Sequence, residues 1–414
     1  MEPEKIEKVF WIIFLLWVVL RMVLMGAQLV GNTDQDYLQR VRQYFSEEQI
    51  QAGKQYALDG FWVKFAYGFL YAGIMIYLMK TGVFARVYDL IVEKVGAGLL
   101  RADLLFTISL LLFIQFLYLP YAYYMGFLKE VRMGFSNMTS MAWLIRFVKS
   151  AAVSITLESM GIIFILWIIG FFQKSWVWVL PVGMGLFSIF VTLIYPIVIT
   201  PIFYEQKPLG QGEFRKMLMD IGEKAGLQID EIYVINESRY SSHTNAYFTG
   251  FGSHKRIVLY DNLIKSHTPE EAALIFAHEA GHWRHNHVAI GLFLGFIALF
   301  LLSVILKQVF PYLLPVRMFG LRELTSAANL PFFIIVAMIF QLFTAPIESQ
   351  ISQYMERQAD QAALDLTGLK DVYVSAEKRL ALDNKSDLTP SPLRVFWLYS
   401  HPPALERIEM AEKK

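Results

Sequence analysis

At 414 residues, 56% of them hydrophobic, the chain has apolar side chains enough for a large core, yet it gathers them into blocks too long for soluble helices. A formal net charge of +1, with no extended run of like charge, excludes the electrostatic footprint of a nucleic-acid binder. With no cysteine, disulfides and thiolate metal sites are excluded, so a metal must be held by His, Asp, Glu or solvent.

Seven blocks approach the roughly 20 apolar residues a spanning helix needs: 9–30, 61–80, 104–125, 151–173, 176–200, 287–307 and, shorter, 330–346. The first follows a charged leader, but its length and the lack of a small-residue cleavage site make it a retained span. Arg21 and Glu158 lie inside spans, where an unpaired charge is costly, so both are expected to face a partner or a water-filled interior. Seven crossings place the connection 201–286 and the tail after span seven on the same side.

Within that connection, 211–226 has helical periodicity, 231–235 reads as a strand, and the runs 245–248 and 256–260 form a hairpin around the glycine-bearing turn 250–255. Thr268 as N-cap, Pro269 at the first position and Glu270 and Glu271 in the first turn open a helix expected to run unbroken to Lys307. Span seven is expected to end near Pro346, a helix to resume over 350–365, and Thr389-Pro390-Ser391-Pro392 to bend the chain before a C-terminal helix. The implied division is a five-span membrane region over 1–203, a catalytic region over 204–286, spans six and seven over 287–346 and a C-terminal region over 347–414. The fold class is a mainly α membrane protein with a small α+β protease region.

Chemistry concentrates in the helix that opens at Pro269. His278 and His282, four apart, share one helix face and can bind one Zn²⁺, while Glu279 points its carboxylate at the open coordination position. Glu356 supplies a third ligand, and Asp360, one turn on, is placed to accept the distal N–H of a zinc-bound imidazole. The bland alternative for that pair is an exposed helix face with Arg357 as counter-ion. His285 and His287 read as interfacial residues at the foot of span six, and His243, His254 and His267 as loop residues. The strand from Asn245 either belongs to an ordinary hairpin or serves as an edge against which an extended peptide lies.

The stretches Phe276 to Trp283, Ser241 to Phe251, Arg256 to Asp261, Glu356 to Asp360 and Ser400 to Pro403 together resemble the type I CAAX prenyl endopeptidases, integral membrane zinc proteases of eukaryotes with bacterial relatives. The resemblance covers nearly the whole chain. It implies seven tilted helices around an intramembrane chamber, one zinc ion on His278, His282 and Glu356 at the cytosolic end, and Glu279 as catalytic base. It also implies that His401 steadies the oxyanion and that Asn245 and Arg407 contact substrate, a peptide or protein with or without a prenyl group. Ala280, where eukaryotic members often carry Leu, and the short length point to a compact bacterial relative in an inner membrane; a eukaryotic chain would lie in the endoplasmic reticulum. Lys129, Arg132, Arg146 and Lys149 on the catalytic side balance Lys80, Arg86, Lys94 and Arg101 opposite, so the cytosolic orientation rests on the resemblance alone.

Two other readings stand beside this one. One is a broad-specificity membrane quality-control protease, for which fewer spans are expected. The other is a seven-helix transporter or receptor with a structural metal, against which Glu279 argues, since a structural site closes its fourth position.

Overall fold

A computed structural model describes residues 2–251 and 254–414. Among the described residues, seven helices are long and apolar enough to cross a membrane: Pro3–Val30, Glu47–Lys80, Leu99–Arg132, Ser140–Phe171, Trp176–Phe203, His287–Leu313 and Ala327–Thr367. They contain the seven apolar blocks almost in full and several overrun them toward the catalytic side. The second turns a corner at Gly60, whose φ of 76° suits glycine, so the membrane-crossing part is Phe61–Lys80.

Each span packs substantially against two others, in the cyclic order one, seven, two, three, four, five, six. Neighbouring axes in such a ring lie about 9 Å apart, which places every axis roughly 10 Å from the centre. That exceeds the helix radius of about 5–6 Å, so the spans' side chains leave the middle open. Burial agrees: between 6% and 33% of each span's most apolar window is buried, as for helices that show one face to lipid and another to an interior. The end away from the catalytic region is closed by Val316, Met318, Phe319 and Ala327, packed on Phe10, Met79 and Phe84. Buried Asp103 pins this floor, accepting from the Tyr88 hydroxyl at 2.9 Å and the Ala327 amide at 2.9 Å.

Between spans five and six lie four strands, β1 (Gln206–Pro208), β2 (Ile229–Ile235), β3 (Ala246–Phe251) and β4 (His254–Tyr260), ordered β1-β2-β4-β3. β2 and β4 run parallel and the other pairs antiparallel, so β3 is an edge strand. Gly252 and Ser253 of the expected turn lie outside the described residues. The periodic segment after residue 211 forms the helix Glu213–Lys224, and its Leu218 meets Ile232, Ile257 and Phe276 in a core with no exposure.

The motif helix Pro269–Arg284 opens as its sequence dictates, with the Thr268 hydroxyl accepting from the Glu271 amide and the Glu271 carboxylate from the Thr268 amide. It does not run unbroken to Lys307. Asn286 adopts a left-handed conformation, φ 56° and ψ 32°, which ends the motif helix and starts span six at His287. Asparagine is among the few residues other than glycine that take this conformation readily. The expected end of span seven near Pro346 is likewise absent. One 38-residue helix, Leu330–Thr367, carries the chain from the membrane through Glu356 and Asp360. The bend at 389–392 leads into Pro392–Leu398, and Ala404–Glu412 closes the chain.

Candidate active site

The site is built where the motif helix crosses the outer part of span seven. Gly281, between the two histidines, permits the crossing: a Cβ there would stand 2.9 Å from the Ala359 Cα and carbonyl and 2.9 Å from the Ala362 Cβ. Backbone therefore meets backbone, and side chains one turn away on either helix converge. His278 Nε2 lies 3.2 Å from His282 Nε2 and 3.2 Å from Glu356 Oε2, and His282 Nε2 lies 3.3 Å from Glu356 Oε1. Each imidazole meets a different oxygen of Glu356, and with one ligand atom taken from each residue the set lies within 4.8 Å, close enough for a single ion with ligands at about 2.0–2.1 Å to draw together. Glu356 Oε2 is also buried with no hydrogen-bond donor, as expected of a ligand atom. The donor set fits a metal.

The outward nitrogens are occupied in a way that assigns their protons. His278 Nδ1 donates to Asp360 Oδ1 at 2.7 Å, leaving Nε2 a lone pair. His282 Nδ1 lies 2.9 Å from His287 Nδ1, and His287 Nε2 lies 3.0 Å from Gln358 Oε1. For His282 Nε2 to ligate, its Nδ1–H donates to His287, whose Nε2–H donates to Gln358. His287 is therefore no interfacial residue. It is 6% exposed and orients His282, a role that became visible only once Asn286 turned the chain. The exposed-face reading of Glu356 and Asp360 fails as well, since they are 6% and 1% exposed and Arg357 pairs with Glu406 instead.

Asp360 is itself held by Arg407, whose Nε donates to Oδ2 at 2.9 Å and whose Nη2 donates to Oδ1. Arg407 Nη1 reaches Glu377 Oε2 at 2.8 Å. Two buried carboxylates thus share one guanidinium, which lifts the Arg407 pKa well above its ordinary value against the pull of burial. Burial pushes Glu377 upward, opposed by Arg407. Sequence reasoning missed Glu377, because a lone Glu in a helix gives no sign of its partner.

Beside the ligands, a cavity of about 120 Å³ is lined by Glu279, His278, Asn245, His401, Glu377 and Arg407, among others. Burial raises the Glu279 carboxyl above the ordinary carboxylate range, with the two imidazoles opposing, which moves it toward the basicity useful near neutral pH. His401, exposed at the cavity, has Nε2 3.3 Å from Glu356 Oε2 and Nδ1 2.7 Å from the Ser400 hydroxyl. Asn245 is exposed at the cavity, with its side-chain oxygen accepting from the Ala246 amide at 2.8 Å.

His285 stacks on His287 with ring centroids 5.6 Å apart, and His267, His243 and His254 lie apart. His267 is buried beside Ser266. His243 is fixed by Glu130 Oε2 and Asn384 Oδ1, each at 3.0 Å, and stacks on Phe135 with ring centroids 4.1 Å apart. His254 begins β4.

Residues 208–414 match peptidase family M48, and residues 27–205 match the CAAX prenyl protease N-terminal region with five membrane helices. CAAX prenyl protease 1 of Saccharomyces cerevisiae is 32% identical over 316 residues, spanning 72% of this chain and 70% of the yeast protein. A Bacillus subtilis protein described as the uncharacterized metalloprotease YhfN is 28% identical, spanning 70% of this chain and 69% of its own. The crystal structure of Saccharomyces mikatae Ste24p superimposes with a TM-score of 0.81 at 24% identity, covering 96% of this chain and 97% of that one. The fold, the paired histidines and glutamate, and the two family matches meet in one conclusion: this chain is a multi-pass membrane metalloprotease of peptidase family M48, in its CAAX prenyl protease branch.

Proposed function

We propose that the protein is a zinc endopeptidase that cuts CAAX-type substrates, prenylated at the cysteine, near their C-terminus, with its catalytic face toward the cytosol. The observation that carries this reading is the grouping of His278, His282 and Glu356 with the half-buried Glu279 carboxyl beside it, opening on a cavity. Zinc on those three side chains would supply Lewis acidity toward the scissile carbonyl and lower the pKa of water.

The chain's own groups do the rest. Glu279 takes the proton of the water that attacks the carbonyl carbon and returns it to the leaving amine nitrogen as the C–N bond breaks. Its burial-raised basicity suits both halves of that transfer. His401, with Nε2 turned to the ligand cluster, donates to the oxyanion as charge develops there. Asp360 keeps His278 in the ligating tautomer, and Arg407 and Glu377 keep Asp360 in place. β3 offers its unpaired edge to an extended peptide, and Asn245, at the start of that edge, faces the cavity.

The test is cleavage of a farnesylated CAAX peptide by purified wild type and Glu279→Gln, with metal content measured for both. About one zinc per chain in each, with turnover confined to the wild type, is the expected result. Zinc in both without cleavage by either discards this substrate class, and absence of zinc discards the mechanism.

A further inference from the structure

The inward faces of spans one, two and three, at the end nearest the active site, carry cations that the chemistry above does not use. Arg21 lies well inside span one with its guanidinium laid against the backbone of span two. A Cβ at Gly68 would come within 2.0 Å of Nη2, so the glycine makes room for the charge, and the Trp17 and Phe69 rings flank it at 5.4 and 5.7 Å. A guanidinium has five N–H donors. Among the described residues this one makes a single hydrogen bond, from Nη2 to the Lys64 carbonyl at 3.4 Å, and its buried Nε finds no acceptor.

Lys64, in the first turn of Phe61–Lys80, is half-buried and has neither a hydrogen-bond acceptor nor a carboxylate within ion-pair reach among the described residues. Lys129 at the end of span three is buried, with its ammonium 3.6 Å over the Tyr56 ring and, among the described residues, no carboxylate salt bridge. Arg394, beyond span seven, uses its side chain on Gln28 of span one. Spans one, seven, two and three are consecutive in the ring, so the four cations converge on one sector of its wall. Asp59 and Glu130 act on Lys64 and Lys129, and Asp387 on Arg394, without a direct ion pair to any of them, so a further anion can still bind among the cations.

They face inward. On span two the exposed Trp62, Leu70 and Tyr77 mark the lipid side, and helical spacing puts Lys64, Tyr67 and Tyr71 on the other. On span three the exposed Leu105, Leu112 and Phe116 do the same, and helical spacing puts Tyr121 and Tyr118, itself 38% exposed on the open middle, on the other face. Tyr67 and Tyr121 stack at 4.4 Å, and Tyr71 and Tyr118 complete a wall of phenols. Phenols suit peptide amides better than acyl chains, so a peptide fits this wall better than a phospholipid. The sector also adjoins the active site: Glu130, next to Lys129, holds His243, two residues from Asn245.

We propose that Arg21 and Lys64, flanked by Lys129 and Arg394, seat the free C-terminal carboxylate of the peptide substrate, whose last residues enter the ring along the tyrosine wall. This rests on the protease reading above. It makes the enzyme measure its cut from the chain end.

The test uses two farnesylated peptides that differ only in a terminal carboxylate or carboxamide, with wild type, Arg21→Gln, Lys64→Gln and Arg21→Lys in neutral and in anionic nanodiscs. Metal content and melting temperature establish that each variant is folded. Wild type should show a KM for the amide about tenfold or more above that for the acid. Arg21→Gln and Lys64→Gln should raise the acid's KM to the amide's while leaving kcat and the amide's kinetics unchanged, and Arg21→Lys should recover part of the preference. A wild type indifferent to amidation overturns the carboxylate site and leaves the protease reading standing. Cleavage of neither peptide ends both. Variants that weaken both peptides equally, and only in anionic nanodiscs, would instead assign the cations to a lipid phosphate and also overturn the proposal.

Discussion

Each ligand at the active site is a side chain whose other end is already engaged. His278 is tied to Asp360, and His282 to His287 and through it to Gln358, so the two Nε2 atoms are aimed before anything binds between them. Such supports are commonly worth 10–100-fold in metal affinity. His287→Ala is therefore expected to weaken metal binding by about that factor with little change in melting temperature, measured by chelator competition. Unchanged affinity would return His287 to the role of a buried spacer. Glu279 differs, because its half-buried carboxylate lies beside the ligands without being one, and Glu279→Gln should keep the metal while losing turnover.

Among elements, the crossing of the motif helix over span seven decides whether there is a site at all. Gly281→Ala would drive a methyl into the Ala359 backbone, and the helices must part by several tenths of an ångström or more. Overpacking of this kind costs about 1–3 kcal/mol. Metal affinity and activity should fall together, at a stability loss of that size, whereas Ala280→Gly on the same helix should lose only about 1 kcal/mol and keep metal affinity. Equal effects of the two substitutions on metal binding would show that the crossing distance is unimportant. The capping box was legible before any tertiary information, since Thr268 and Glu271 interact within one turn. The stop at Asn286 was not, because its left-handed backbone follows from where span six must stand.

For the whole molecule, the ring and the catalytic region are joined at His243. Its ring bridges Glu130 of the third membrane helix and Asn384 of the C-terminal region, and the Glu130 hydrogen bond raises its pKa against burial. A histidine whose folded pKa exceeds its unfolded value contributes stability that is complete below about pH 6.5 and lost as pH rises through the folded value. Wild type should therefore melt above His243→Gln at pH 6, with the gap narrowing as pH rises past the folded pKa. A constant gap would mean that the join does not depend on the charge.

Local signals read from the sequence concern groups near one another along the chain: the seven apolar blocks, the helix start at Thr268, the i, i+4 pair His278 and His282, and the Glu356 to Asp360 spacing. The motif resemblance supplied His401 and Arg407 as expectations. What waited on tertiary structure were relations between distant residues: the ring order, β3 as the sheet edge, the Arg407–Glu377 pair, His287 behind His282, and the cations of spans one to three. The physical reason is the range of the interactions. Helical period, capping and apolar length act within a few residues, whereas these partners meet only after seven helices close and the motif helix is drawn onto Ala359 through Gly281.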